Sequence, residues 1–147
     1  MEMQGRLALV TGAGSGIGRA AALRLARAGA DVGLLSRTRE ELEDVAAEIL
    51  DIGRKPLVLV ADTSGEADMR RAFATIASEF GRLDFVFANA GVNGTWAPLD
   101  ELSYEDWNQT MSINLGGTFL TLHLAVPLMK EHGGSILITS SINGTRT

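Results

Sequence analysis

The chain has 147 residues, 46% hydrophobic and 21% charged, the balance of one folded domain large enough for a substantial core. A net charge of −5 excludes a basic nucleic-acid surface, and the absence of cysteine excludes disulfides and thiolate metal sites. The first residues lack the plan of a signal peptide and no apolar run reads as long enough to cross a bilayer, so a cytoplasmic chain without a membrane partner is expected.

The first apolar run, residues 7–10, has the length of a strand. It leads into Thr11-Gly12-Ala13-Gly14-Ser15-Gly16-Ile17-Gly18 and an alanine- and leucine-rich helix over 16–28, with Ile17, Ala21, Leu25 and Ala28 expected on its inner face. A strand that turns on glycines into a helix is a mould for a dinucleotide pyrophosphate. The helix start offers unpaired N–H groups and partial positive charge, and missing side chains let phosphates approach the backbone. Gly12 and Gly16 free the turn, Gly18 lets helix and strand approach, the Ile17 amide faces the pyrophosphate, and the Ser15 hydroxyl is placed for a phosphate oxygen.

The second strand, 32–35, runs into Ser36-Arg37-Thr38-Arg39. No acid stands at its end to accept from a ribose 2′-OH: Asp31 precedes the strand and Glu40 belongs to the next helix. Arg37 beside Ser36 instead offers a planar guanidinium suited to a 2′-phosphate, which favours NADP(H) and leaves NAD(H) as the second choice. The helix over 39–52 turns Leu42, Val45, Ala46, Ile49 and Leu50 inward. Glu40, Glu41, Glu43 and Asp44 form a solvated outer face, and Gly53 marks the stop.

A third strand, 57–60, precedes Asp62-Thr63, at the strand end where open sheets bind ligands. Ser64 is the expected N-cap of a helix over 66–80 that ends at Gly81. The fourth strand, 85–88, closes on Asn89-Ala90-Gly91. The small residues there let the backbone pass close to a ribose, and the Asn side chain is suited to tying neighbouring strands together. A long helix over 103–131 follows, with Trp107, Met111, Leu115, Leu122 and Val126, and Pro127 should kink or unwind its last turns. Asn114 stands among Met111, Ile113, Leu115 and Phe119, a setting that implies a buried amide in need of partners. His123 in this helix reads as packed or partner-facing, and with His132 too distant to join it no metal site is expected. The fifth strand, 136–139, ends at Ser140-Ser141. Continuously apolar strands alternating with helices, joined by right-handed crossovers, predict a doubly wound parallel α/β sheet in the order 3-2-1-4-5.

The glycine turn fails the G-x-G-x-x-G pattern, whose sixth position would be Ile17 or Arg19. It fills T-G-x-x-x-G-x-G with Thr11, Gly12, Gly16 and Gly18. With Asp62-Thr63, Asn89-Ala90-Gly91, Asn114 and Ser140-Ser141 following in order, the chain resembles the amino-terminal part of the classical short-chain dehydrogenase/reductase family. The resemblance implies a Rossmann domain over residues 1–147, truncated after its fifth strand, from an NAD(P)(H)-dependent oxidoreductase interconverting an alcohol and a ketone. It implies that Asp62 accepts from the adenine amino group while the Thr63 amide contacts the ring. It assigns the Asn114 carbonyl, at a helix irregularity that Gly116-Gly117 would suit, to a water in a proton relay, and Ser141 to the substrate oxygen. NADP-preferring relatives often carry arginine where Arg37 stands, and family dimers imply a homo-oligomer in the complete protein.

The pattern breaks at the family's Y-x-x-x-K element, which supplies the proton-transferring tyrosine and its lysine. Six residues follow Ser141, and Tyr104 is followed by Glu105-Asp106-Trp107-Asn108. The chain is therefore expected to bind cofactor without catalysing alone, and its fifth strand to be an unpaired edge. The alternative is a short nucleotide-binding module or one half of a split enzyme.

Overall fold

The computed structural model describes residues 2–144. Strands β1 (Leu7–Thr11), β2 (Asp31–Ser36), β3 (Pro56–Val60), β4 (Phe85–Ala88) and β5 (Ser135–Ile138) form one parallel sheet in the order β3-β2-β1-β4-β5. The chain leaves β1 toward β2 and β3 on one side, then returns to place β4 and β5 on the other. That reversal opens a crevice at the carboxyl ends of β1 and β4.

The pleat sends successive strand residues to two cores, which is why the strands are apolar throughout. Ala8, Val10, Val32 and Leu34 pack beneath α1 (Gly16–Arg27) and α2 (Arg39–Asp51). Leu9, Leu35, Leu59 and Val86 pack on the other face beneath α3 (Glu66–Glu79) and a later helix. Two helix faces differ from expectation. In α1 the buried residues are Gly18, Ala22, Leu23 and Ala26, with the expected Ala21 and Leu25 packed partly buried beside them, and Ile17 is 68% exposed. Gly18 must abut the Gly12 carbonyl, so the ridge of small residues running from it faces the sheet. In α2, Leu42, Val45, Ala46 and Ile49 are buried, whereas Leu50 is 62% exposed because the helical turn carries it to the edge of that face. Gly53, at φ +82°, follows α2 as its left-handed stop.

The cap of α3 also needs correction. Gly65 occupies the N-cap position, and the Ser64 hydroxyl donates instead to Asp62 Oδ1 at 2.7 Å. The Ser64 amide reaches the same oxygen at 2.9 Å, so an Asx turn on Asp62 captures Ser64 before the helix begins.

The long helix starts at Ser103, whose Oγ accepts from the Asp106 amide at 3.0 Å. It runs as α4 (Tyr104–Met111), a widened π turn over Ser112–Gly116, and α5 (Gly117–Ala125), then tightens over Val126–Leu128. The regular helix thus ends at Ala125, short of residue 131 and just ahead of Pro127, which has no N–H for the helical ladder. Contrary to the sequence expectation, the helical run Tyr104–Leu128, with mean hydropathy 1.3 in its most apolar window, is long and apolar enough to cross a membrane by length and composition. Its apolar content serves two sides. Gly117, Thr121 and Ala125 are buried toward α3 and β4, while Leu115, Phe119 and Val126 are exposed.

At the opposite end of the sheet, the buried Asp84 carboxylate accepts from Arg6 Nη1 (2.9 Å), the Leu7 amide (2.9 Å) and Arg82 Nε (3.3 Å). Burial alone would raise its pKa; the three donors outweigh burial and hold the carboxyl below its ordinary value.

Candidate active site

The glycine turn is built by backbone geometry. Gly12 and Gly16 adopt φ +66° and +53°, the left-handed region that side chains disfavour. A Cβ at Gly18 would stand 2.0 Å from the Gly12 carbonyl oxygen and 2.8 Å from Asn89 Nδ2, so only glycine lets α1 start so close to β1. Ser15 is the N-cap of α1, extended at φ −148°, and its hydroxyl makes no capping bond. With Ser15, Gly16 and Ile17 all exposed, the first amides of α1 open outward.

Two grooves meet along the carboxyl edge of the sheet. The first has a volume of about 200 Å³ and is walled by Gly12, Ser15, Ser36, Arg37, Asp62, Thr63, Ala90 and Gly91 among others. The second holds Gly16, Ile17, Asn89, Asn114 and Ser141, and shares Ala90, Gly91 and Val92 with the first. The structure therefore brings every candidate site residue to one continuous cleft except Gly18, which lies beneath it as packing.

Asn89 fastens three strands at the centre of this cleft. Its amide and that of Ala90 donate to Thr11 Oγ1 at 2.9 and 3.0 Å, its Nδ2 donates to the Thr11 carbonyl at 3.2 Å, and its Oδ1 accepts from Thr139 Oγ1 at 2.8 Å. Toward β3, the Ser64 hydroxyl foremost lowers the Asp62 pKa. Burial opposes this, and the Ser64 amide and the nearby Arg37 charge add to the lowering, so the carboxylate is ionised at neutral pH. Thr63 is buried, and a Cβ at Gly117 would stand 2.8 Å from its Oγ1, so α5 approaches this loop through a glycine.

Asn114 lies in the π turn and is exposed, not buried as its neighbours implied. Its amide is satisfied because the loop after β4 comes to it. Oδ1 accepts from the Val92 amide and Nδ2 donates to the Val92 carbonyl, both at 2.8 Å. The Asn114 carbonyl accepts from Thr118 Oγ1 at 2.8 Å. Ser141 Oγ accepts from the Asn143 amide at 3.2 Å, which leaves its proton free to be donated. Tyr104 opens α4, is 78% exposed and belongs to neither groove. His123 is exposed and stacks on Phe119 with ring centroids 5.4 Å apart.

Several groove residues escaped the sequence reading, Ala61, Ile113, Thr118 and Thr139 among them, and one of them is charged. Glu41, assigned there to the solvated face of α2, lines the first groove beside Ser36 and Arg37. The missing side chain at Gly14 leaves room for the glutamate to fold back over the turn, a meeting that only the fold reveals.

A dinucleotide fits this cleft on shape and donor chemistry: glycines where no Cβ has room, open helix-start amides, a cation and a carboxylate at one end, and a serine hydroxyl at the other. Comparison with known proteins agrees. The short chain dehydrogenase family pattern matches residues 6–147. The chain is 40% identical, over 160 aligned positions, to an uncharacterized NAD-dependent oxidoreductase of Mycobacterium tuberculosis, covering 99% of this chain and 58% of that protein. It superposes on the 3-ketoacyl-ACP reductase from Sinorhizobium meliloti 1021 with TM-score 0.93 and 56% identity, over 96% of this chain and 56% of that one. A short chain dehydrogenase from Burkholderia cenocepacia J2315 in complex with NADP gives TM-score 0.92 and 35% identity, over 100% of this chain and 60% of that one. The chain thus spans little more than half the length of these relatives. With the family pattern running from Arg6 to the last residue and the sheet order shared with these structures, the chain belongs to the short chain dehydrogenase family.

Proposed function

We propose that this chain is the cofactor-binding part of an oxidoreductase that interconverts an alcohol and a ketone, with NADP(H) favoured and NAD(H) accepted. The observation that carries this reading is the single cleft running from Arg37 and Asp62 past the α1 amides to Asn114 and Ser141. Arg37 takes a 2′-phosphate, and Asp62 and Thr63 take the adenine. Ser15 and the amides of Gly16 and Ile17 take the pyrophosphate, and the Asn89-Ala90-Gly91 backbone lies along the ribose. When bound, the nicotinamide gives or takes the hydride.

Ser141, its oxygen already accepting from Asn143, donates its proton to the substrate oxygen and fixes it. Asn114 offers its carbonyl, already holding Thr118, to a water that moves protons to and from that oxygen. The reaction also needs an acid–base group within hydrogen-bond reach of the substrate oxygen. Among the described residues, Tyr104 lies outside both grooves, and no histidine or lysine lines the second one. The exposed apolar residues of α4, the π turn and α5, Trp107, Leu115 and Phe119, support a homo-oligomer of the complete protein.

Purified residues 1–147 of verified mass are expected to bind NADPH in a fluorescence titration yet oxidise none above background with a panel of small ketones. Turnover by that species without a second chain would overturn the assignment of proton transfer elsewhere. Absence of dinucleotide binding by a folded sample would overturn the cofactor site itself. Restoration of turnover by a separate chain bearing Tyr-x-x-x-Lys would favour one half of a split enzyme.

A further inference from the structure

Resting on the dinucleotide reading above, we propose that Glu41 is a second determinant of cofactor choice, acting against Arg37. A Cβ at Gly14 would stand 2.6 Å from Glu41 Oε2, 3.0 Å from Glu41 Cβ and 3.3 Å from Ser36 Oγ. The glutamate therefore folds back from the first turn of α2 across the glycine turn, to the wall of the groove that also holds Ser36 and Arg37. Of the other acids of α2, Glu43 pairs with Arg39 and Glu48 with Arg19, while Glu40, Asp44 and Asp51 are exposed outside the groove, so Glu41 is the α2 acid that lines it. Glu41 makes no hydrogen bond or ion pair among the described residues. Arg37 likewise has no ion pair within 4.0 Å and acts only through its charge on Asp62. One groove wall thus presents an unpaired cation and an unpaired anion.

Their chemistry selects different ligands. A carboxylate is acceptor-only, so its complement is a hydroxyl, and it repels a phosphate dianion. A guanidinium prefers the dianion. Glu41 accepts from a ribose hydroxyl of the adenosine half and penalises a 2′-phosphate, while Arg37 does the reverse. Their opposition makes the groove take both nicotinamide nucleotides, with a preference smaller than Arg37 alone would give. The sequence pattern conceals this because the acid sits in the helix after the strand rather than at the strand end.

The test is equilibrium binding of NADH and NADPH, by nucleotide fluorescence, to the purified protein and to its Glu41→Gln and Arg37→Ala variants, with circular dichroism to confirm folding. Glu41→Gln keeps the shape and removes the charge. It is expected to weaken NADH and tighten NADPH, moving the ratio of the two dissociation constants toward NADPH by about tenfold, the effect of roughly 1.4 kcal/mol. A folded Glu41→Gln protein with an unchanged ratio, or one moved toward NADH, overturns the proposal. If Arg37→Ala loses NADPH selectively while Glu41→Gln changes nothing, the dinucleotide reading stands and Glu41 falls. If the folded parent protein binds neither nucleotide, the dinucleotide reading falls and takes this proposal with it.

Discussion

Single residues in the cleft are set by what lies against them. Gly18 has no alternative, because its missing Cβ is the space taken by the Gly12 carbonyl. Asp62 is held ionised chiefly by the Ser64 hydroxyl, which fixes one carboxylate oxygen and leaves the other open as an acceptor. Arg37 is the residue whose proposed role separates the two cofactors most directly. Loss of a charge-assisted contact costs about 1.5–3 kcal/mol, so Arg37→Ala is expected to weaken NADP(H) on the order of ten- to a hundredfold more than NAD(H). Paired titrations of the two nucleotides measure this, and equal weakening of both would remove Arg37 from the 2′-phosphate site.

Among the elements, the π turn between α4 and α5 does the most positioning. It presents the Asn114 side chain to both polar backbone groups of Val92, and so sets the course of the loop where the two grooves join. A second tie, Thr95 Oγ1 to Asp106 Oδ1 at 2.8 Å, secures the next stretch of that loop to the first turn of α4. Asn114→Ala removes both Val92 bonds without touching the core. The Val92 amide should lose hydrogen-exchange protection while amides of β4 keep theirs, because local opening does not require the sheet to open. Unchanged exchange at Val92 would mean the loop is held by something other than Asn114.

For the whole molecule, the two ends of the sheet divide the work: ligand groups gather at the carboxyl ends and a charged clamp closes the amino ends. Asp84 ties Arg6, the Leu7 amide and Arg82 together, linking the start of β1 to the approach to β4. Its folded pKa is depressed, so the stability it adds is fully present above the unfolded value of about 3.9 and is lost as pH falls through the lower folded value. Asp84→Ala should cost about 1–3 kcal/mol at pH 7, toward the lower end because both arginines are partly exposed. Urea midpoints of the parent and variant should differ clearly at pH 7 and converge as pH falls through the depressed folded value of Asp84. A constant difference across that range would show that Asp84 contributes by packing rather than by charge.

The sequence by itself determined the strand–helix alternation, the sheet order and the gathering of Thr11-Gly12, Asp62, Asn89 and Ser141 at one edge. These depend on local patterns: apolar runs, helix stops such as Gly53, and the fixed handedness of crossovers. Only tertiary structure decided which side each borderline residue faced. Ile17 and Leu50 turn outward because the close approach at Gly18 and the sheet beneath α2 set the helix rotations. Asn114 is exposed yet satisfied because a loop 22 residues earlier folds onto it. Ser64 leaves its expected cap for Asp62 because that carboxylate is already turned toward it. Glu41 was invisible as a groove residue, since its position depends on a glycine in a different turn 27 residues away, and spacing along a chain does not encode such a meeting.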